Sequence, residues 1–395
     1  MINYKIPSNW INYNFQELLH ELVDAKSVIN ALKMIPFQKA WVDKLQQMQL
    51  KREVAGTSQI EGAVFTENEL EDALKDSPEQ LITRSQKQAH AAVKTYRWIA
   101  ALPDEQPIDT KLIKEIHRRI IAGADDDHCE PGILRSKDQN VNFGQPRHRG
   151  VEGGRECLTA FNSFVKAIQR QYKDHDPIIQ AISAHYHFVA MHPFLDGNGR
   201  TARALEALFL QRAGLRETCF IALSNYYYDE KSLYLKALNL SHEGGHDLTP
   251  FLKFALNGIV QQANRLMNEI KINMQKAIFR NTMYYLFNML KSKRKRVIAE
   301  RQLLILKLLL DNDEMNPSEL FIRMEVHYIK LSNPFKAFIR DINGLLNLSA
   351  IKYNIISENE YILSVCLEWP SKFTETEFFK RLKDIPKAQT YKFLQ

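Results

Sequence analysis

The chain has 395 residues, of which 45% are hydrophobic, 25% charged and 10% aromatic. This composition excludes disordered, collagen-like and low-complexity proteins, because it supplies enough apolar surface to bury cores of ordinary size. The formal net charge of +7 is small for this length, so charge alone does not indicate a nucleic-acid-binding protein. The low counts of glycine (15) and proline (14) favour long helices over many short strands.

The four cysteines are scattered without CxxC pairing, which predicts neither a disulfide framework nor a zinc site. We interpret them as buried or idle thiols in a reducing compartment. The amino-terminal residues lack the apolar core of a signal peptide, and the densest aliphatic run, Leu303 to Leu310, is too short to span a bilayer. We therefore expect a soluble cytoplasmic protein.

Helices are predicted along the amino-terminal part of the chain. Apolar residues recur three and four apart from Gln16 to about Arg97. Glu61-Gly62 ends one helical stretch, and Thr66 with Glu69 forms a capping-box pattern that begins the next. A further amphipathic helix is predicted from Thr110 to Ile121.

The next region contains a long loop and two central helices. The stretch from Glu130 to Gly154 is rich in glycine and proline, can hold one short hairpin, and has the length of a lid or binding loop. Asp176-Pro177 supplies a helix start, and that helix continues to Met191. After the loop Phe194 to Gly199, a second helix is predicted from about Arg200 to Ala213.

The carboxy-terminal part has a different pattern. Five of the seven net positive charges lie from Lys291 onward, beginning with the run to Arg296, which we interpret as a solvated linker or helix face. Three helices and a hairpin then outline a winged helix-turn-helix domain. These predicted elements are helices over Arg301 to Leu310, from Asn316-Pro317 and from Asn333-Pro334, and strands over Ile351 to Ile356 and Tyr361 to Val365.

The presumed recognition helix of this domain, Phe335 to Leu346, offers only Lys336 and Arg340 as cations, set against Asp341. Sequence-specific DNA binding needs more phosphate contacts than these. A role in protein interaction or dimerisation fits the residues at least as well, and DNA binding stays an open alternative.

The loop between the two central helices is the part of the sequence that indicates chemistry. Gly197 and Gly199 flank Asn198, so backbone N–H groups are free to converge where a helix begins, which is an anion-binding arrangement. Arg200 and Arg203 lie three apart on the first helical turn, and we expect both guanidinium groups on the side of those amides. A chain of phosphates fits this design.

Two residues complete the candidate site. Asp196 precedes the glycines and is placed to hold a magnesium ion that bridges the phosphates. His192 ends the preceding helix, and an imidazole can remove the proton of an incoming hydroxyl. The loop fits neither an EF-hand nor a Walker A motif. His185 and His187 lack metal-ligand spacing and are interpreted as packing or surface residues.

The run HPFLDGNGRTAR, from His192 to Arg203, matches the Fic-family signature HxFx(D/E)GNGRxxR at all eight specified positions. The sequence therefore resembles a Fic protein over roughly Gln16 to Phe254. The resemblance implies an all-α fold with a short β-hairpin flap. It also implies transfer of AMP from ATP to a hydroxyl of a target protein, with Mg²⁺ and release of pyrophosphate.

The resemblance also implies roles for individual positions. His192 is the general base, Phe194 anchors the loop in the core, and Asp196 is the magnesium ligand. Tyr234 falls where relatives have an aromatic residue near adenine. The implied phosphate cradle consists of Gly197, Asn198, Gly199 and Arg200, with Arg203 reaching the terminal phosphate, and the flap pattern is similar to Pro131-Gly132, Arg135 and Val141 to Gly144.

An inhibitory motif of the same family, (S/T)xxxE(G/N), resembles TSQIEG at Thr57 to Gly62. A spacing of four puts Thr57 and Glu61 on one helix face, so an anionic Glu61 can pair with Arg203 and occupy the place of the terminal phosphate. The motif therefore predicts an enzyme restrained by its own helix.

We predict an autoinhibited protein adenylyltransferase that acts on a Ser, Thr or Tyr hydroxyl. Its predicted parts are an N-terminal helical region (1–100), a Fic core (101–290) and a winged-helix-like module (291–395). Self-modification and homodimer formation are compatible with this interpretation. Two alternatives stay open: removal of AMP from a modified target, with Glu61 positioning water and His192 supplying a proton, and a DNA-binding regulator whose nucleotide site only senses.

Overall fold

The structure, a computed structural model, is mostly helical, which confirms the predicted fold class. It forms two compact units, Met1–Leu266 and Met267–Gln395. The predicted three-part division stays a prediction. Cys219 and Lys291 lie outside the described residues, which are 2–35, 39–75, 81–144, 147–215, 222–290, 293–357, 360–384 and 391.

The first unit contains the predicted helices and a small sheet. Its helices are α1 (Phe15–Lys33), α2 (Lys39–Ile60), α3 (Glu67–Ala73), α4 (Arg84–Ala100), α5 (Thr110–Ile121), α6 (Arg155–Gln169), α7 (Pro177–Met191), α8 (Asn198–Leu210), α9 (Leu223–Asp229), α10 (Lys231–Glu243) and the first part of α11 (Thr249–Asn288). Its strands are β1 (Ile2–Asn3), β2 (Asn142–Phe143) and β3 (His148–Arg149).

Local sequence explains where these helices begin. Thr66 and Glu69 form the predicted capping box at α3, and the Thr66 N–H donates to Glu69 Oε2 at 2.7 Å. Asp176 caps α7, with Pro177 as the first helical residue. Almost every residue of α7 and α8 is buried, and these two helices pack against each other. The loop that joins them is therefore held on both sides by the core.

The long loop forms the predicted hairpin, but it gains a third strand. β2 and β3 are antiparallel, and β1 pairs in parallel with β3. The amino-terminal segment that supplies β1 continues along the unit with Tyr4 and Trp10 buried. The sequence did not predict this strand, because two residues are too short to show an alternating pattern.

Buried histidines hold this amino-terminal segment. His187 Nε2 donates to the Trp10 carbonyl at 2.6 Å, and His246 Nε2 donates to the Lys5 carbonyl at 3.0 Å. The ring of His242 stacks on that of His246. Burial lowers the pKa of His187 to about 3 and that of His242 to about 4. Both imidazoles are therefore neutral at pH 7, and His187 is a packing residue as expected.

The second unit has its own core around α12 (Lys293–Asn312), α13 (Pro317–Met324) and α14 (Pro334–Asn347). Three antiparallel strands lie in the order β4, β6, β5. The remaining elements are β4 (Glu314–Met315), β5 (Ile351–Ser357), β6 (Glu360–Val365), α15 (Trp369–Lys372) and α16 (Glu375–Asp384). The predicted helices and hairpin are present, and the winged-helix interpretation stays a prediction.

No helix among the described residues is long and apolar enough to cross a membrane.

The Asp341 side chain of α14 does not lie where the sequence predicted. Asp341 was expected to oppose the cations of the recognition helix, but it is buried. Its carboxylate accepts hydrogen bonds from Arg301 Nε and from the Tyr328 hydroxyl, each at 2.7 Å. The reason is that a charge removed from water needs partners, and α12 supplies a guanidinium. Lys336 and Arg340 are therefore not neutralised by Asp341.

Replacement of Asp341 by alanine should destabilise the second unit by about 3 kcal/mol, because the Arg301 charge loses its buried partner. The measurement is denaturant unfolding followed by tryptophan fluorescence, since Trp369 lies in this core. Glu325→Ala is the control, because Glu325 is exposed in the same unit. An equal effect of both substitutions would contradict the buried ion pair.

The stability of the first unit should fall as the pH drops below about 6.5. The folded protein lowers the pKa of His187 to about 3, so the unfolded chain binds protons first and is favoured by acid. His187→Gln keeps a hydrogen-bond donor for the Trp10 carbonyl but cannot bind a proton. The free energy of unfolding of this variant should therefore fall by about 2 kcal/mol less than that of the unsubstituted protein when the pH drops from 7.5 to 5. Thermal melts at both pH values measure this. An unchanged pH dependence would refute the idea, and exposed His327→Gln is the control.

Candidate active site

His192 follows the last residue of α7 and has a left-handed backbone, with φ of 52°. Its Nδ1 lies 2.6 Å from the Val189 carbonyl oxygen. Only an N–H can bond to a carbonyl, so Nδ1 carries the proton and Nε2 keeps its lone pair. The Phe143 ring of β2 stacks on the imidazole, with centroids 3.9 Å apart.

The surroundings of His192 favour the neutral ring. Burial lowers the pKa of His192 to about 4, although the Val189 hydrogen bond and the Glu61 carboxylate oppose the shift. At pH 7 the imidazole is therefore unprotonated at Nε2. This is the state that a general base needs.

The loop after His192 is fixed from within. Phe194 is fully buried, as expected of the core anchor. The Asn198 side chain accepts from the Phe194 N–H and donates to the Phe194 carbonyl, both at 2.9 Å. Both polar atoms of the Asn198 side chain are therefore used to hold the conformation of the loop.

His117 supports the same loop from α5, and the sequence did not single it out. Its ring stacks on Phe194 with centroids 3.7 Å apart. Nε2 donates to the Asp196 carbonyl at 3.0 Å, and Nδ1 accepts from the Gly132 N–H at 2.9 Å. His117 therefore joins the loop to the base of the flap. Its position on the apolar face of an amphipathic helix was the available signal.

Asp196 presents a carboxylate to the cavity. Its Oδ2 accepts from His128 Nε2 at 2.9 Å, and its Oδ1 accepts from the Gly197 N–H. Burial alone would raise the pKa of Asp196, but the hydrogen bonds from His128 and the Gly197 N–H, together with the Arg200 charge, outweigh it and the pKa lies below its usual value. A half-exposed carboxylate of this kind is a suitable oxygen ligand for Mg²⁺. The sequence did not indicate His128.

Arg200 does not lie where the spacing predicted. We expected its guanidinium beside that of Arg203, on the side of the loop amides. Instead it is buried and pairs with Asp125, which also accepts from Arg84 Nε at 2.7 Å. Asp125 has no exposed surface and draws the guanidinium behind the loop, because two buried opposite charges stabilise each other.

The Arg203 side chain does reach the cavity, and its guanidinium is paired with residues at the end of α2. The Arg203 NH2 group donates to Glu61 Oε1 at 2.6 Å and to the Thr57 carbonyl at 3.1 Å. Arg203 Nε donates to Thr57 Oγ1 at 2.8 Å. Burial would raise the pKa of Glu61, but the charge and hydrogen bond of Arg203, together with the nearby Arg200 and His192, outweigh it and hold the pKa below its usual value. Glu61 is therefore an anion paired with a buried guanidinium.

Glu53 lies one helical turn before Thr57 and anchors α2 to the body of the unit. Its carboxylate accepts from the Ser224 N–H and from the Tyr96 hydroxyl, both at 2.9 Å. Burial raises the pKa of Glu53 to about 7. A Cβ atom on Gly56 would lie 2.5 Å from the Ser224 backbone, so glycine is needed for this approach of α2 to α9. These two residues were not predicted.

The cavity at this site has a volume of about 220 Å³. Tyr234 forms part of its wall, and its hydroxyl lies 2.9 Å from His185 Nε2. The ring of Tyr234 is buried, and it stacks on Tyr227. The cavity therefore brings together the predicted site residues other than Thr57, Gly197 and Arg200, namely Glu61, His192, Asp196, Asn198, Gly199, Arg203 and Tyr234.

A family model described as the Fic/DOC family matches residues 107–210. Curated relatives named "Protein adenylyltransferase Fic" from Drosophila willistoni and Drosophila ananassae are each 31% identical over 156 residues, which are 39% of this chain and 28% of the relative. The matched segment thus spans less than a third of the length of these relatives.

Solved structures resemble the fold. A Fic family protein from Desulfovibrio desulfuricans G20 aligns with a TM-score of 0.55 and 16% identity, over 93% of this chain and 98% of that chain. A fragment of Fic-1 from C. elegans aligns with a TM-score of 0.53 and 21% identity, over 64% and 72%. Because the matched segment includes the signature from His192 to Arg203, this chain contains a Fic/DOC-family domain at residues 107–210.

Proposed function

We propose that this chain is an autoinhibited protein adenylyltransferase, which transfers AMP from ATP to a Ser, Thr or Tyr hydroxyl of a target protein. The names of the Drosophila relatives support the reaction class. The observation that carries the proposal is the free Nε2 of His192 in the same cavity as Gly199 and Arg203. The cavity therefore contains both a general base, His192, and a site for an anion at Gly199 and Arg203.

The proposed reaction follows from these positions. His192 Nε2 takes the proton of the target hydroxyl, whose oxygen forms a bond to the α-phosphorus of ATP. The bond from that phosphorus to the oxygen that bridges the α- and β-phosphates breaks, and pyrophosphate leaves with the electron pair. Arg203 and the amides at the start of α8 bind the phosphates.

Asp196 is the residue proposed to hold Mg²⁺. The ion would neutralise phosphate charge and orient the phosphates, which is its usual contribution to phosphoryl-group chemistry. His128 keeps the Asp196 carboxylate oriented at the cavity wall. The Tyr234 ring offers an apolar face for the base of the nucleotide.

The restraint is proposed to act by occupation of the anion site. A Cβ atom on Gly199 would lie 2.3 Å from Glu61 Oε1 and 3.1 Å from an Arg203 nitrogen. The Glu61 carboxylate therefore lies against the amino-terminal turn of α8, where a phosphate would be bound. ATP with its terminal phosphate in this place requires Glu61 to leave.

Glu61→Gly should increase AMP transfer by about tenfold or more, because it frees Arg203 for the phosphates. His192→Ala in that background should abolish transfer, since the base is lost. Incorporation of labelled AMP into a cell extract measures both effects. Gln59→Gly is the control for a glycine at the same helix end. Equal labelling by all the variants would refute the proposed mechanism.

Asp196→Asn should raise the Mg²⁺ concentration needed for half-maximal transfer by about tenfold in the Glu61→Gly background, because one anionic ligand is lost. A magnesium titration at fixed ATP gives this value. Asp127→Asn is the matched control, because Asp127 also contacts His128 and its side chain is 82% exposed. The same magnesium dependence in both variants would show that Asp196 is not the metal ligand.

Removal of AMP from a modified target remains an alternative use of the same cavity. The observation in its favour is that an anionic Glu61, able to position water, and His192 line that cavity together. An assay with adenylylated protein separates the two directions. If the protein removes AMP, Glu61→Gly should lower the rate of removal. If it transfers AMP, the same substitution should raise the rate of transfer.

A further inference from the structure

The carboxyl end of α2 is held by two cations of the cavity wall. An α-helix leaves its last four carbonyl groups without partners inside the helix. The Thr57 carbonyl accepts from Arg203, and the Ile60 carbonyl accepts from Lys231 Nζ at 2.8 Å. The two carbonyls between them accept backbone N–H groups of the next turn. Cations at this end are also favoured by the helix dipole.

Lys231 is suited to a change of partner. It is the first residue of α10, and its side chain lines the same cavity as His192 and Arg203. An ammonium group on a flexible four-carbon chain can take a new acceptor without movement of the backbone. If the end of α2 withdraws, the Ile60 carbonyl leaves with it, while the Lys231 ammonium stays at the cavity wall.

We propose that Lys231 exchanges partners during activation: it caps α2 in the restrained protein and binds a phosphate of ATP after Glu61 has left. The inference rests on the proposed function and extends it to a residue outside the Fic signature. Lys231 therefore has two roles that can be measured separately. In the protein without nucleotide it holds the end of α2, and in the protein without the Glu61 contact it binds nucleotide.

The first effect is measured without nucleotide. Lys231→Met should increase the rate of amide hydrogen exchange over residues 58–63 by about fivefold, because a capping hydrogen bond to a charged group is lost. Lys236→Met is the matched control, since Lys236 lies exposed on the same helix. Unchanged exchange in Lys231→Met would overturn the capping role.

The second effect is measured in the Glu61→Gly background. Lys231→Met should weaken ATP binding in calorimetry by about tenfold, and Lys231→Arg should restore most of the affinity. Binding of adenosine, which has no phosphate, should be the same in all these variants. Equal ATP affinity with and without Lys231, or an equal loss of adenosine affinity, would overturn the phosphate role.

The two proposals fail in different ways. If the Glu61→Gly protein itself binds no ATP, the proposed function and the phosphate role of Lys231 are both wrong, and the exchange measurement still decides the capping role. If Glu61→Gly binds ATP and transfers AMP but is insensitive to Lys231→Met, the proposed function holds and the inference about Lys231 is wrong.

Discussion

The central constraint of this molecule is the buried positive charge of Arg203. Its guanidinium is almost fully removed from water, and an unpaired charge in that position would cost several kcal/mol. The charge is therefore stabilised by an anion beside it. In this structure the anion is Glu61, supplied by α2 together with the Thr57 hydroxyl. A phosphate is the other anion that the proposed reaction would supply, so in the proposed mechanism Glu61 and ATP would compete for one guanidinium.

Two other groups near Arg203 carry no unpaired positive charge into the cavity. Arg200 is neutralised behind the loop by Asp125. His192 is neutral, because burial lowers its pKa to about 4. The base therefore keeps the same protonation state between pH 6 and pH 8. The proposed control of activity then depends on the position of α2, which Glu53 fixes at one place and Lys231 at another.

The sequence predicted the helices, the hairpin and most of the cavity, because local patterns determine them. The capping box at Thr66, the helix start at Asp176 and the glycine-flanked loop are all local signals. His117 and Glu53 were missed, since their partners are distant in the chain. Arg200 was misplaced for the same reason: its spacing from Arg203 is local, but the Asp125 carboxylate that redirects it lies 75 residues away.

The absence of a side chain at Gly199 matters both for the contact with Glu61 seen here and for the proposed binding of a phosphate. A side chain there would overlap the Glu61 carboxylate and crowd Arg203. Without a Cβ atom, an anion can approach the first turn of α8 closely enough to meet its backbone N–H groups and the guanidinium together. A carboxylate and a phosphate need the same space at this turn. The glycine that the proposed phosphate site requires therefore also makes room for the Glu61 carboxylate, so the proposed restraint would need no surface of its own.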